Sequence, residues 1–78
     1  MRITVKLYAT LRRYYPQVPR DGLPLEVPPG TTIADVLPRL GLPDAVPLVA
    51  MVNEKVEHLD YVLSEGDVLS LFPPVAGG

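Results

Sequence analysis

The residues of this chain that could take part in chemistry are few. Of its 78 residues, none is cysteine and only one is histidine, which excludes disulfides and nearly excludes structural zinc. His58 stands alone in a predicted loop, and no nucleophile–base pair, phosphate-binding glycine loop or set of clustered carboxylates is recognisable. We therefore expect no metal site, and we expect that the protein catalyses no reaction by itself.

The one candidate for a reacting group is at the end of Leu71–Gly78, LFPPVAGG. Pro73–Pro74 favours an extended backbone and cannot continue a β-ladder, so we expect residues 73–78 to form a flexible tail. Gly77–Gly78 has no Cβ atoms and can enter a channel too narrow for side chains. The α-carboxylate of Gly78 is a poor electrophile, and it becomes useful only after activation, for example by adenylation with ATP.

Composition predicts one small globular domain. The chain is 47% hydrophobic and 21% charged, which is typical of folded domains and not of disordered segments. Its net charge of −2 gives no basic field for nucleic acid. The sequence shows no signal peptide and no long apolar span, so we expect a cytoplasmic location and no membrane partner.

The elements that would carry this tail are predicted from hydrophobic patterns. Apolar and polar residues alternate in the first strand, and the other strands follow from apolar runs between turn residues. The predicted strands are Met1–Tyr8, Leu23–Val27, Leu48–Val52, a short return through Val56, and Val68–Phe72.

Helical spacing of apolar residues predicts one main helix over residues 33–40. Thr32 is its expected N-cap and Gly41 its terminating residue, while Pro38 should shorten or kink it. A hairpin, a helix and further strands, in that order, predict an α+β fold of the β-grasp (ubiquitin-like) type over residues 1–78. We expect a mixed sheet of four to five strands with the helix packed on one face.

Two predicted strands lack polar alternation, and this has a consequence for the uncovered face. Successive side chains of a strand point to opposite faces of the sheet. If Ala50 and Leu71 face the helix, the residues that face away are therefore Val49, Met51, Val68 and Phe72. One helix covers one face, so we expect these four residues to form an exposed apolar patch that binds a partner. The alternative is that residues 9–18 fold over that face.

Charged residues carry no distinct prediction of chemistry. Asp60, Glu65 and Asp67 are expected to form a solvated acidic rim, or else to pair with basic residues of a partner. Arg12 and Arg13 are expected to lie in a solvated loop.

Several stretches together resemble the ubiquitin-like sulfur carriers, in particular the small subunit of molybdopterin synthase. The resemblance covers nearly the whole chain. It rests on VKLYATLRR (residues 5–13), LVAMVN (48–53) and, most specifically, SEGDVLSLFPPVAGG (64–78).

The resemblance implies a mechanism for the tail. Gly78 would be adenylated by an activating enzyme of the ubiquitin-activating type and converted to a thiocarboxylate. Val75, Ala76 and Gly77 would enter the active site of the large synthase subunit, where the sulfur passes to cyclic pyranopterin monophosphate. The carrier would hold no permanent cofactor, and ATP would be used by the activating enzyme.

The resemblance also implies docking residues and leaves other pathways open. Phe72 would dock both partners together with other apolar residues, namely Val68, Met51, Val49, Pro73 and Leu59. Related carriers supply sulfur for thiamin synthesis or tRNA thiolation, and others modify protein lysines. A β-grasp interaction module with an idle end is the remaining alternative.

Overall fold

The computed structural model describes residues 1–42 and 48–74. Its elements are β1 (Arg2–Leu7), α1 (Thr10–Tyr14), β2 (Leu23–Glu26), α2 (Ile33–Val36), a 3₁₀ turn (Leu37–Leu40), β3 (Val49–Val52), β4 (Lys55–Glu57) and β5 (Val68–Phe72). The strands form one sheet in the order β2-β1-β5-β3-β4. The central strands β1 and β5 are parallel and all other neighbours are antiparallel, which confirms the predicted β-grasp fold.

The helix begins and ends where its sequence dictates. The Thr32 hydroxyl accepts the Asp35 N–H at 3.2 Å, and the Asp35 carboxylate accepts the Thr32 N–H at 3.0 Å, forming a capping box. Pro38 lacks an N–H, and the last turn, Leu37–Leu40, is 3₁₀. Gly41 ends the segment with a left-handed φ of 82°. The predicted N-cap, the disturbance at Pro38 and the terminating glycine are all confirmed.

The hydrophobic core lies between the helix and the sheet face turned toward it. That face contributes the alternate residues of the three central strands, which are Ile3, Val5, Leu7, Ala50, Val52, Leu69 and Leu71. Above them pack Ile33, Val36, Leu37 and Leu40. Neither helix of the described residues has the length and hydrophobicity needed to cross a bilayer.

Residues 9–18 belong to this core side and do not cover the opposite face. Leu11 and Val18 are buried in the core, and Gln17 Nε2 donates to the Leu40 carbonyl at 3.1 Å. The alternative in which this segment folds over the other face of the sheet is therefore wrong.

A buried carboxylate ties the turn between β3 and β4 to the start of β5. Asn53 and Glu54 form this two-residue turn with φ of 49° and 73°, as hairpin turns of this length require. Asp67 is only 6% exposed, and it accepts the Asn53 side-chain amide at 2.8 Å and the Ser64 N–H at 2.7 Å. The Asn53 side-chain oxygen in turn accepts the Val68 N–H at 3.0 Å.

The predicted acidic rim is wrong for one of its three residues. Asp60 and Glu65 are exposed, and Glu65 accepts the backbone N–H of Arg2 at 3.0 Å. Asp67 is buried, and its carboxylate accepts hydrogen bonds from donors within the domain. It is therefore not available to pair with a partner.

We expect Asp67→Ala to destabilise the protein by about 1–3 kcal/mol, because two partly buried hydrogen bonds to a charged acceptor are lost. Asp60→Ala removes an exposed carboxylate and should change the free energy of unfolding by no more than about 0.5 kcal/mol. Denaturant unfolding of both variants measures the difference. Equal unfolding midpoints would contradict a role of Asp67 in fixing the turn.

Candidate functional site

The sheet face opposite α2, here called the outer face, carries the predicted apolar residues. The register places Val49 beside Phe72 and Met51 beside Ser70, with their side chains directed away from the helix. Met51, Val68 and Phe72 are partly buried, and Val49 is 36% exposed. The predicted orientation of these residues is confirmed, whereas their role in binding a partner stays a prediction.

Sequence reasoning missed a further member of this surface. Val56 lies opposite Met51 on β4 and is 69% exposed. The signal was present in the hairpin, because a two-residue turn at Asn53–Glu54 forces Val56 to face Met51. We call Val49, Met51, Val56 and Phe72 the outer patch.

The Phe72 ring is held in place by an aromatic neighbour that sequence reasoning also missed. Because β1 and β5 are parallel, with Leu7 beside Leu71, Tyr8 comes to lie beside Phe72. The two rings stack with centroids 4.5 Å apart and planes within 9°. The Tyr8 N–H donates to the Leu71 carbonyl at 3.1 Å, which fixes the backbone beneath the stack.

Next to the outer patch the same face is polar. A shallow pocket of about 460 Å³ is lined by Lys6, Tyr8, Asn53, Glu54, Val68 and Ser70. It contains one cation and one carboxylate and no nucleophile–base pair. Among residues 1–42 and 48–74, no group of three or more His, Cys, Asp and Glu side chains is arranged to hold a metal ion.

Of the remaining predicted site residues, the structure describes Pro73 and Leu59. Pro73 follows the end of β5 directly and is half-buried, so the backbone leaves the sheet beside Phe72. Leu59 is exposed, but its carbonyl accepts the Ala34 N–H at 2.9 Å, which places its backbone against the first turn of α2. Val75, Ala76, Gly77 and Gly78 lie outside the described residues.

The stack predicts a specific pattern of stability. Tyr8→Ala should lower the free energy of unfolding by about 1–2 kcal/mol, because stacked rings contribute beyond their buried area. Tyr8→Phe keeps the ring and should stay within about 0.5 kcal/mol of the natural chain. Thermal or denaturant unfolding distinguishes the two variants. Equal losses in both would show that the hydroxyl, and not the stack, stabilises this end of the sheet.

Comparison with solved structures shows close relatives of this fold. SAMP1 from Haloferax volcanii is 25% identical, with a TM-score of 0.78 and 100% of each chain covered. A candidate molybdopterin converting factor subunit 1 from Pyrococcus furiosus is also 25% identical, with a TM-score of 0.73 over 96% of this chain and 99% of that one.

A chain of the complex of subunits 1 and 2 of molybdopterin-converting factor from Helicobacter pylori is 22% identical, with a TM-score of 0.63 and both chains covered over 100%. At that identity the likeness shows the fold alone. No curated protein sequence matches the chain. The sequence model of the ThiS family matches residues 5–78. The chain therefore belongs to the ThiS family, and its resemblance to the ubiquitin-like sulfur carriers is confirmed.

Proposed function

We propose that this protein is a sulfur carrier loaded at the carboxyl group of Gly78. The family match carries this proposal, because it runs through the glycine pair to residue 78. In the loading reaction the Gly78 carboxylate attacks the α-phosphate of ATP and releases pyrophosphate. A sulfur nucleophile of the sulfide level then displaces AMP from the acyl adenylate and leaves a thiocarboxylate.

We propose the molybdenum cofactor pathway as the destination of the sulfur. The carrier would dock on the large subunit of molybdopterin synthase and donate sulfur to cyclic pyranopterin monophosphate. Support comes from the similar Pyrococcus furiosus chain, which is named as a candidate molybdopterin converting factor subunit 1. The Helicobacter pylori structure shows that a chain of the same fold occurs in a complex of subunits 1 and 2 of that factor.

In this proposal the domain positions the carboxyl group of the tail, and the partner proteins catalyse the reactions. The outer patch lies around Phe72, the last residue of β5, and the tail begins there at Pro73. A partner that covers the patch is therefore seated at the root of the tail. Residues 74–78 reach about 15–18 Å when extended, so docking and delivery of the carboxyl group are coupled. Holding the reacting group close to its acceptor provides a large part of the rate acceleration in such a reaction.

A second candidate function is modification of proteins. It is favoured by the similarity to SAMP1, a small archaeal modifier protein. The same acyl adenylate would then react with a lysine amine, forming an isopeptide bond and releasing AMP. Sulfur delivery to thiamin synthesis or tRNA thiolation would use the same thiocarboxylate with a different acceptor.

Loading is tested by incubating the full chain with its cognate activating enzyme, ATP and a sulfur donor. We expect the intact mass to increase by the difference between one sulfur and one oxygen, and we expect a chain lacking Gly77 and Gly78 to stay unchanged. The loaded chain should convert cyclic pyranopterin monophosphate when the large subunit is added. An unchanged mass with the cognate enzyme would contradict sulfur loading, and target lysines carrying the chain's C-terminus would favour the modifier.

Docking is tested by truncating one apolar side chain on each side of the domain. Phe72→Ala should weaken binding to the large subunit by about 2 kcal/mol, or about thirtyfold, if Phe72 is a central contact. Val62→Ala is the matched control, since Val62 is 53% exposed and pairs with Thr32 beside α2. Titration calorimetry measures both. Equal affinities of the two variants would contradict docking through the outer patch.

A further inference from the structure

The two edges of the sheet differ in whether another strand can be added. On the β2 side, the Thr4 N–H bonds to the Asp67 carbonyl toward β5, so Thr4 and its neighbour Pro24 form a non-hydrogen-bonded pair. The residues of β2 whose backbone N–H and C=O groups point away from β1 are then Pro24 and Glu26. Pro24 has no N–H to offer, and the Glu26 carbonyl accepts Arg39 Nη1 at 2.7 Å. This edge is blocked.

On the β4 side, the hydrogen-bond pattern leaves one residue unpaired. The Asn53 N–H bonds to the Val68 carbonyl at 3.0 Å, so the alternate residue Met51 also bonds toward β5. Because bonding alternates along an antiparallel strand, Val56, which lies opposite Met51, directs its N–H and C=O away from β3. Within residues 1–42 and 48–74, no turn or loop group bonds to them. This edge is open.

The sequence of the open edge is complementary to itself. β4 consists of Lys55, Val56 and Glu57, with opposite charges on either side of a valine. Neither charge forms an ion pair with another described residue. An antiparallel copy related by a twofold axis at Val56 places each Lys55 opposite Glu57 of the second copy, giving two cross-strand ion pairs.

We propose that β4 pairs with β4 of a second copy of this chain, which joins two sheets into one of ten strands. The N–H and C=O groups of Val56, which are unpaired among the described residues of the single chain, form two backbone hydrogen bonds with those of Val56 in the second copy. The two Val56 side chains are neighbours on the outer face, and each also lies beside Met51 of its own chain. The apolar surface thereby becomes continuous across the pair.

Such a pair is compatible with the proposed function but does not depend on it. Phe72 lies on β5, and β3 stands between β5 and the joined strand β4, so the pairing does not cover Phe72. Association should be weak and reversible, because three residues provide two backbone hydrogen bonds and the ion pairs are exposed. It should also weaken as salt is added.

Charge exchange at β4 tests this pairing, with sedimentation velocity of the full chain over a concentration series at low salt. Lys55→Glu makes both charges of the edge acidic, and Glu57→Lys makes both basic. For each variant alone, the dissociation constant of the pair should therefore rise by up to about tenfold. An equimolar mixture of the two should recover association, because each acidic edge meets a basic one. The double variant carrying both changes should pair as the natural chain does.

Matched controls are Arg20→Glu and Asp21→Lys, which make the same changes of charge in the exposed turn before β2. Both should leave association unchanged. Slower hydrogen exchange of the Val56 amide at high concentration would place the contact at β4. A natural chain that stays monomeric at millimolar concentration, an equal response of edge and control variants, or a mixture that gains nothing would each overturn the pairing.

Discussion

The residues that cover the core of the five-stranded sheet, α2 with its 3₁₀ turn and residues 9–18, all pack on the same one of its two faces. On the helix side, alternate residues of β1, β3 and β5 are almost completely buried. On the other side, Met51, Val68 and Phe72 are only partly buried and Val49 is exposed, since residues 9–18 pack with the core as well. The architecture thus leaves the outer patch without a helix to cover it, and the patch is available to bind a partner.

Two local devices give this face a defined shape. The buried Asp67 carboxylate holds the Asn53–Glu54 turn against β5, which sets the register that places Val56 beside Met51. The stack of Tyr8 on Phe72 holds the ring at the point where β5 ends. Together they fix the surface from which the tail begins, and in the proposed function the partners would carry out activation and transfer.

Features set by neighbours in the chain were predictable from sequence. Thr32 with Asp35, Pro38 and Gly41 define the helix, and alternation of side chains defines the faces of the strands. Features set by register between distant strands were not predictable. Asp67 looked like a surface acid, and Tyr8 meets Phe72 only because β1 and β5 pair in parallel. The predicted roles of residues 75–78 fall outside the described residues and depend on the family match.

The use of the outer face is tested most directly by amide chemical-shift mapping of the isotope-labelled chain during titration with unlabelled synthase large subunit. We expect the largest shifts on the exposed sides of β3 and β5, at Val49, Met51, Ser70 and Phe72, with Ala34 and Asp35 on α2 unchanged. Shifts centred on α2, with the outer strands unaffected, would show that the partner binds the covered side of the sheet and would contradict the docking proposed here.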